Sequence, residues 1–341
     1  MKRRAVMASG ALIMGLGLCL TLRYSIRKPY VVIDLGTLGG PSSMAFALND
    51  RGQVVGQADI ADNHPHAFLW EGGHKSDLEV VGGEGSCARA INNRGQAVGA
   101  AYKSRRLSHA VLWQQGKMQD LGTLGGSTSG ANSINEAGQI AGSAQLPNGE
   151  THACLWDHGH IQDLGTLGGA ESYASAINAN GHIVGWAQTA NLQSHAFLYR
   201  DGKMFDLGTL GGVHSMAFAI NANDEVVGAA DTAEQEWHAF RYTHGRMEDI
   251  NPELAINSQA CSLNEAGWIV GEAQDNNAQD YIWLLSGSRS VRLNSMSERF
   301  NDRATAKGAG IMPGIAINNH NLIVTTGYAE GKFEALLFSP R

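Results

Sequence analysis

Five histidines in this 341-residue chain each stand eleven residues ahead of an aspartate: His66 and Asp77, His109 and Asp120, His152 and Asp163, His195 and Asp206, His238 and Asp249. A carboxylate that fixes one ring nitrogen of a histidine leaves the other to take or give a proton, which is half of a hydrolytic triad. Catalysis needs such a pair once, and here it returns five times. The repetition favours a polar tie satisfied within the fold. At the next place Tyr281 replaces the histidine and Arg292 the aspartate, so the two positions change together; at the last, Glu334 would face Asp34. The reading is ten structural residues and no catalytic one. Metal ligands would have to converge, which a repeat spread through the chain does not provide. No metal and no cofactor are therefore expected.

A second series can be tracked three residues beyond a repeated glycine: Asp59, Tyr102, Gln145, Gln188, Asp231, Gln274 and Glu330. Carboxamides, a phenol and carboxylates suit a hydroxyl-rich ligand or a cation, and Trp186 and Trp237 lie close enough in sequence to add aromatic surface. These seven are the candidate ligand-binding residues. A pair among Asp59, Asp231 and Glu330 would alternatively divide acid and base work at a glycosidic bond, making a polysaccharide hydrolase or lyase the rival reading. The familiar enzyme signatures are missing, including the nucleophile elbow, the H-E-x-x-H zinc helix and the Walker loop. "DLGTLGG", at Asp34–Gly40 and again from Asp120, Asp163 and Asp206, lacks the lysine and the following helix of a phosphate loop.

What must position these residues is a repeat. The aspartates Asp34, Asp77, Asp120, Asp163, Asp206 and Asp249 are 43 residues apart, as are Asn49, Asn92, Asn135, Asn178, Asn221 and Asn264. Such a period signals a propeller or a linear array. Within one unit, short apolar runs meet across "NEAG" and across "DHG", where asparagine and glycine suit tight hairpins. Four short strands per unit is a propeller blade. Small alternating residues such as Ala45 and Ala47 mark the first strand as the innermost. Counting strands gives an all-β, seven-bladed β-propeller over residues 29–341, with the strand at 30–36 completing the C-terminal blade and closing the ring. "GTLGG" is then the crossover between blades. The loops between second and third strands vary while the strands repeat, and they share a face with the crossovers. The long last crossover at 294–312 could lid a funnel at the channel mouth, which keeps the hydrolase or lyase reading open.

Residues 1–28 hold six of the 25 basic residues around an 18-residue uncharged run, Ala5–Leu22, which reads as a signal peptide or N-terminal membrane anchor. The rest sets 19 basic residues against 32 acidic ones, a charge of −13 that repels nucleic acid. Cys87, Cys154 and Cys261 have no paired spacing and read as core fillers. The expected protein is an exported monomer, periplasmic or extracellular, touching membrane through the N-terminal segment only.

"DLGTLGG", "AINxxGxVVG" and "HAFLW" together resemble the bacterial extracellular HAF-repeat family over residues 30 to about 285. The resemblance fades in the last blade. It implies an exported repeat protein, and the fold points to a binding or interaction scaffold for a protein or a carbohydrate.

Overall fold

The computed structural model describes residues 30–78, 83–104, 107–293, 314–329 and 331–340. The chain forms seven four-stranded antiparallel sheets in a ring, a seven-bladed β-propeller. Blade 4 shows the pattern: Gly168–Ile177, Ile183–Thr189, Ser194–Arg200 and Lys203–Asp206 pair in chain order. The first strands touch one another round the ring and so face the axis. Tyr30–Asp34 is the outermost strand of blade 7; it pairs with Lys332–Pro340, Tyr30 opposite Pro340 and Asp34 opposite Leu336. The N-terminal strand closes the ring, as the strand count required.

The core lies between blades rather than within them. Each apolar cluster draws on two neighbouring sheets, as where Val98 and Ala110 of blade 2 pack with Ala131, Ile134 and Cys154 of blade 3. Third strands are covered on both faces, which explains their near-continuous apolar sequence. Phe68, Phe197, Phe240 and Phe338, one on each of four third strands, are fully buried. The three cysteines of the ring are free thiols.

Two sets of polar ties lock neighbouring blades. In the hairpin after each first strand, the Asn49 oxygen accepts the amides of Arg51 and Gln53. Its nitrogen donates to Gln53 Oε1 and, across the blade junction, to the carbonyl of Asn92. The inter-blade bond repeats from Asn92, Asn135, Asn178, Asn221 and Asn264, and Asn318 completes it onto Asn49 at 2.9 Å. A seven-membered ring of asparagines therefore circles the axis, every member buried. The second set uses serines. Ser86, Ser129, Ser172, Ser215 and Ser258 each accept the amide of the alanine in the previous blade's third strand, and Ser43 does so for Ala335.

Ala45 and Ala47 do not fill the axis as their small size suggests. Pairing jumps from Ala45 to Ala47, so the residue between them, Phe46, is bulged out of the ladder. The same bulge falls at Arg89, Asn132, Ser175, Phe218 and Cys261. A bulge re-aims one side chain, and two of these residues link neighbouring first strands: Arg89 reaches Asn132, and Asn132 reaches the carbonyl of Ala174, whereas Cys261 packs against the apolar cluster of blades 6 and 7.

Candidate functional site

The crossovers and the loops between second and third strands share one face, here called upper: Leu38, Leu167 and Leu210 of the crossovers bridge Ile60, Thr189 and Thr232 at the loop entrances. The heptad resolves into four local devices. In blade 4, Asp163 accepts the amide of Gly165 at 2.8 Å, and Thr166 Oγ1 accepts that of Gly168 at 3.1 Å. Gly168 has φ 108°, a left-handed conformation that glycine permits. At Gly169 an added Cβ would fall 2.5 Å from Gln188 Cβ. "DLGTLGG" is a joint.

The aspartate of that joint also holds the histidine. Nδ1 lies 2.8 Å from the nearer carboxylate oxygen in His66–Asp77, His109–Asp120, His152–Asp163 and His195–Asp206, and 2.7 Å in His238–Asp249. Third strand, fourth strand and crossover thus meet at one carboxylate. Burial favours the neutral acid at Asp120, yet the Gly122 amide, His109 and Lys103 hold its carboxyl below the ordinary value. Where the pair changes, so does the interaction: the Arg292 guanidinium lies 3.7 Å over the Tyr281 ring and donates to Asp275. Beside Asp34, Lys75 of the adjacent blade donates to the Gly36 carbonyl at 2.6 Å. Burial pushes this lysine down to about 7, against the pull of Asp34.

The six described candidate binding residues engage different partners. Gln145 Oε1 accepts from Ser127, Gln188 Oε1 accepts the Ala170 amide, and Asp231 accepts the His214 amide, so these three steady the crossovers. Asp59 lies under Gly40 in the equivalent place. Gln274 turns to Asp280. Tyr102 points to Cys87, its hydroxyl 3.2 Å from the sulfur; burial and Cys87 push the phenol above its ordinary value, while Arg89 opposes them. Glu330 lies outside the described residues, as do 1–28 and the 294–312 crossover. Thr325, opposite Leu336, takes the place that Gly271 holds opposite Trp283, so Tyr328 rather than Glu330 is the counterpart of Gln274. Trp186 stacks on Tyr173 with centroids 4.6 Å apart.

The loops themselves share one backbone. Ile60, Leu146, Thr189, Thr232 and Asp275 each donate to the carbonyl four residues on. The same left-handed position is filled by Asn63, Gly149, Leu192, Gln235 and Ala278. Leu192 is 71% exposed there.

A cavity of about 300 Å³ opens on the lower face, lined by the asparagine ring and the residues after it, among them Asp50, Asn93, Glu136, Ala179, Glu265 and Asn319. Reading the hairpins as structural hid this. At five junctions the residue after the asparagine donates its amide to a side chain of the next blade, as Asp50 does to Asn93 and Asn319 to Asp50. Ala179 and Ala222 occupy the accepting places for the amides of Glu136 and Ala179. A second, open groove of about 650 Å³ lies at the rim between Gln162–Thr166 and Tyr199–Phe205.

No family model matches the chain, and no curated protein matches it. Solved propellers do. TolB from Acinetobacter baumannii is 11% identical with a TM-score of 0.50, covering 69% of this chain and 61% of that one. A prolyl endopeptidase is 12% identical with a TM-score of 0.54, covering 90% and 51%. The β-propeller domain of the trilobed protease from Pyrococcus furiosus, described as an open velcro topology, is 8% identical with a TM-score of 0.51, covering 78% and 83%. This chain therefore spans only about half to three-fifths of the first two proteins. At such identities the likeness is one of fold.

Proposed function

We propose that the protein is an interaction scaffold of the bacterial envelope, exported or membrane-tethered through residues 1–28, which binds a protein or a carbohydrate on its upper face. The HAF-repeat reading of the phrases supports the extracellular setting. One observation carries the proposal: the loops between second and third strands keep one hydrogen-bonded turn while their residues change from "ADNH" to "PNGE", "ANLQ", "AEQE" and "NNAQ". Repeated residues build the frame, and unlike side chains are displayed on it. Binding groups concentrate on loops held by a rigid scaffold.

The test is binding of the full-length chain to a glycan array and to envelope extract in parallel. Asp59→Asn/Asp231→Asn and Leu192→Ser serve as upper-face variants, and His320→Ala as a lower-face control. Saturable binding weakened by either upper-face variant and spared by the control supports the reading. Binding that only the lower-face variant weakens, or none at all, overturns it.

A further inference from the structure

We propose that the channel wall around Arg89 seats the carboxylate of an acidic sugar, a uronic acid residue. This rests on the binding reading and names a ligand class and residues within it. Arg89 is a bulge residue on an axial strand, and its Nη1 donates to Asn132 Oδ1 at 2.7 Å, while Asn132 Nδ2 donates to the Ala174 carbonyl at 2.7 Å. The arc thus runs over three consecutive blades.

Charge is the first argument. Arg51, Arg200, Arg241 and Arg292 each pair with a carboxylate: Glu71, Asp224, Glu225 and Asp275. Among the described residues Arg89 forms no ion pair; its side-chain neighbours are Asn132, Cys87 and Tyr102. The guanidinium is exposed, so a solute reaches it freely, and its planar fork matches a carboxylate.

Space and surface supply the rest. Cys87, Gly130 and Tyr173 hold equivalent places on blades 2, 3 and 4, each following the inter-blade serine. A Cβ at Gly130 would meet only Arg89 Nη1 within 4 Å, at 3.5 Å. There is room beside the guanidinium. One blade further, Tyr173 stacks on Trp186 with an interplanar angle of 22°, a half-buried aromatic pair. A cation with open space beside it and an aromatic surface two blades on suits a ring carrying both a carboxylate and an apolar face. A pyranose uronate has both; apolar walls with a few placed polar groups are how small-ligand sites are built.

The experiment compares oligogalacturonate with its methyl ester as probes, titrated into the full-length chain. We expect the acid to bind at least about ten-fold more tightly than the ester, and Arg89→Gln to abolish that difference. Gly130→Met, which keeps Arg89 but fills the space beside it, should weaken the acid similarly, and Tyr173→Ala should weaken acid and ester together. Thermal melting reports whether each variant folds, and Gly130→Met carries the test if Arg89→Gln does not. Equal affinity for acid and ester, or acid binding untouched by Gly130→Met, overturns the carboxylate seat while leaving the scaffold reading intact. Binding of envelope protein with neither sugar bound does the same. Only the loss of all specific binding by the wild-type chain removes both.

Discussion

Asn178 shows how much one side chain of this fold does. Its oxygen accepts the amides of Asn180 and His182, and its nitrogen donates to the Asn221 carbonyl and to Asp224. Asn178→Ala removes four bonds at a buried site and leaves partners without substitutes. Each bond is worth about 1 kcal/mol net and each buried orphan costs more, so a loss of about 3 kcal/mol is expected in urea denaturation. The converse substitution should help. Ala222→Asn places an acceptor where the Ala179 amide has none, as Asn93 does for Asp50, and should gain about 0.5–1 kcal/mol in the same assay. Lys75 gives a pH dependence. It lies 3.7 Å from the Phe68 ring, which favours the cation, but burial prevails and holds it near 7, below the ordinary 10.5. Between those values the unfolded chain keeps a proton that the folded protein has shed, so stability rises with pH across the window and the gain is absent below it. Urea midpoints at pH 6.5 and 9.5 should therefore differ less in Lys75→Gln than in the wild type.

At the scale of strands, the glycine near the start of each second strand governs how closely the first strand can lie. A Cβ at Gly185 would fall 1.9 Å from the Tyr173 carbonyl oxygen, and the corresponding distance is 1.9–2.1 Å at Gly56, Gly99, Gly142, Gly228 and Gly271. Blade 7 has Thr325 in that place, beside a first strand described only over Ala316–Ile317. Gly185→Ala must push backbone from backbone, and we expect a loss above about 3 kcal/mol or no soluble protein, against under about 1 kcal/mol for an exposed control such as Glu248→Ala. Period, hairpins and strand count were legible in the sequence because each is a local signal repeated many times. The bulge was not, since Ala45-Phe46-Ala47 looks like plain alternation and only pairing reveals that Phe46 leaves the ladder. Likewise the serines at 43-residue spacing were visible, but spacing cannot say that Ser215 serves the blade before it. The candidate site was less legible. Gln145, Gln188 and Asp231 stand out in the sequence as candidate ligand-binding residues, while their engagement with the crossovers depends on the close approach that the second glycine of "GTLGG" allows.

For the molecule as a whole, the ring is closed by five residues from the far end of the chain. Tyr30 is buried with its ring 6.3 Å from that of Phe338, and Leu35 joins the cluster shared by blades 7 and 1. Without this strand, Lys332–Pro340 would present a bare edge with four buried apolar residues, Ala335 to Phe338, losing cover on one side. Every other junction would survive intact, but the asparagine ring depends on blade 7 holding its place, because Asn318 donates to the Asn49 carbonyl and Asn319 to Asp50. Removing residues 30–36 from the full-length chain should therefore cost far more than its few strand bonds. Burying Tyr30 and Leu35 alone is worth several kcal/mol, which for a domain of this size lowers the melting temperature by roughly 10 °C or more. Calorimetry would show the shift, and a broadened or split transition would show blade 7 parting from the ring. An unchanged, single sharp transition would mean that the inter-blade asparagines and serines hold the circle without the N-terminal strand.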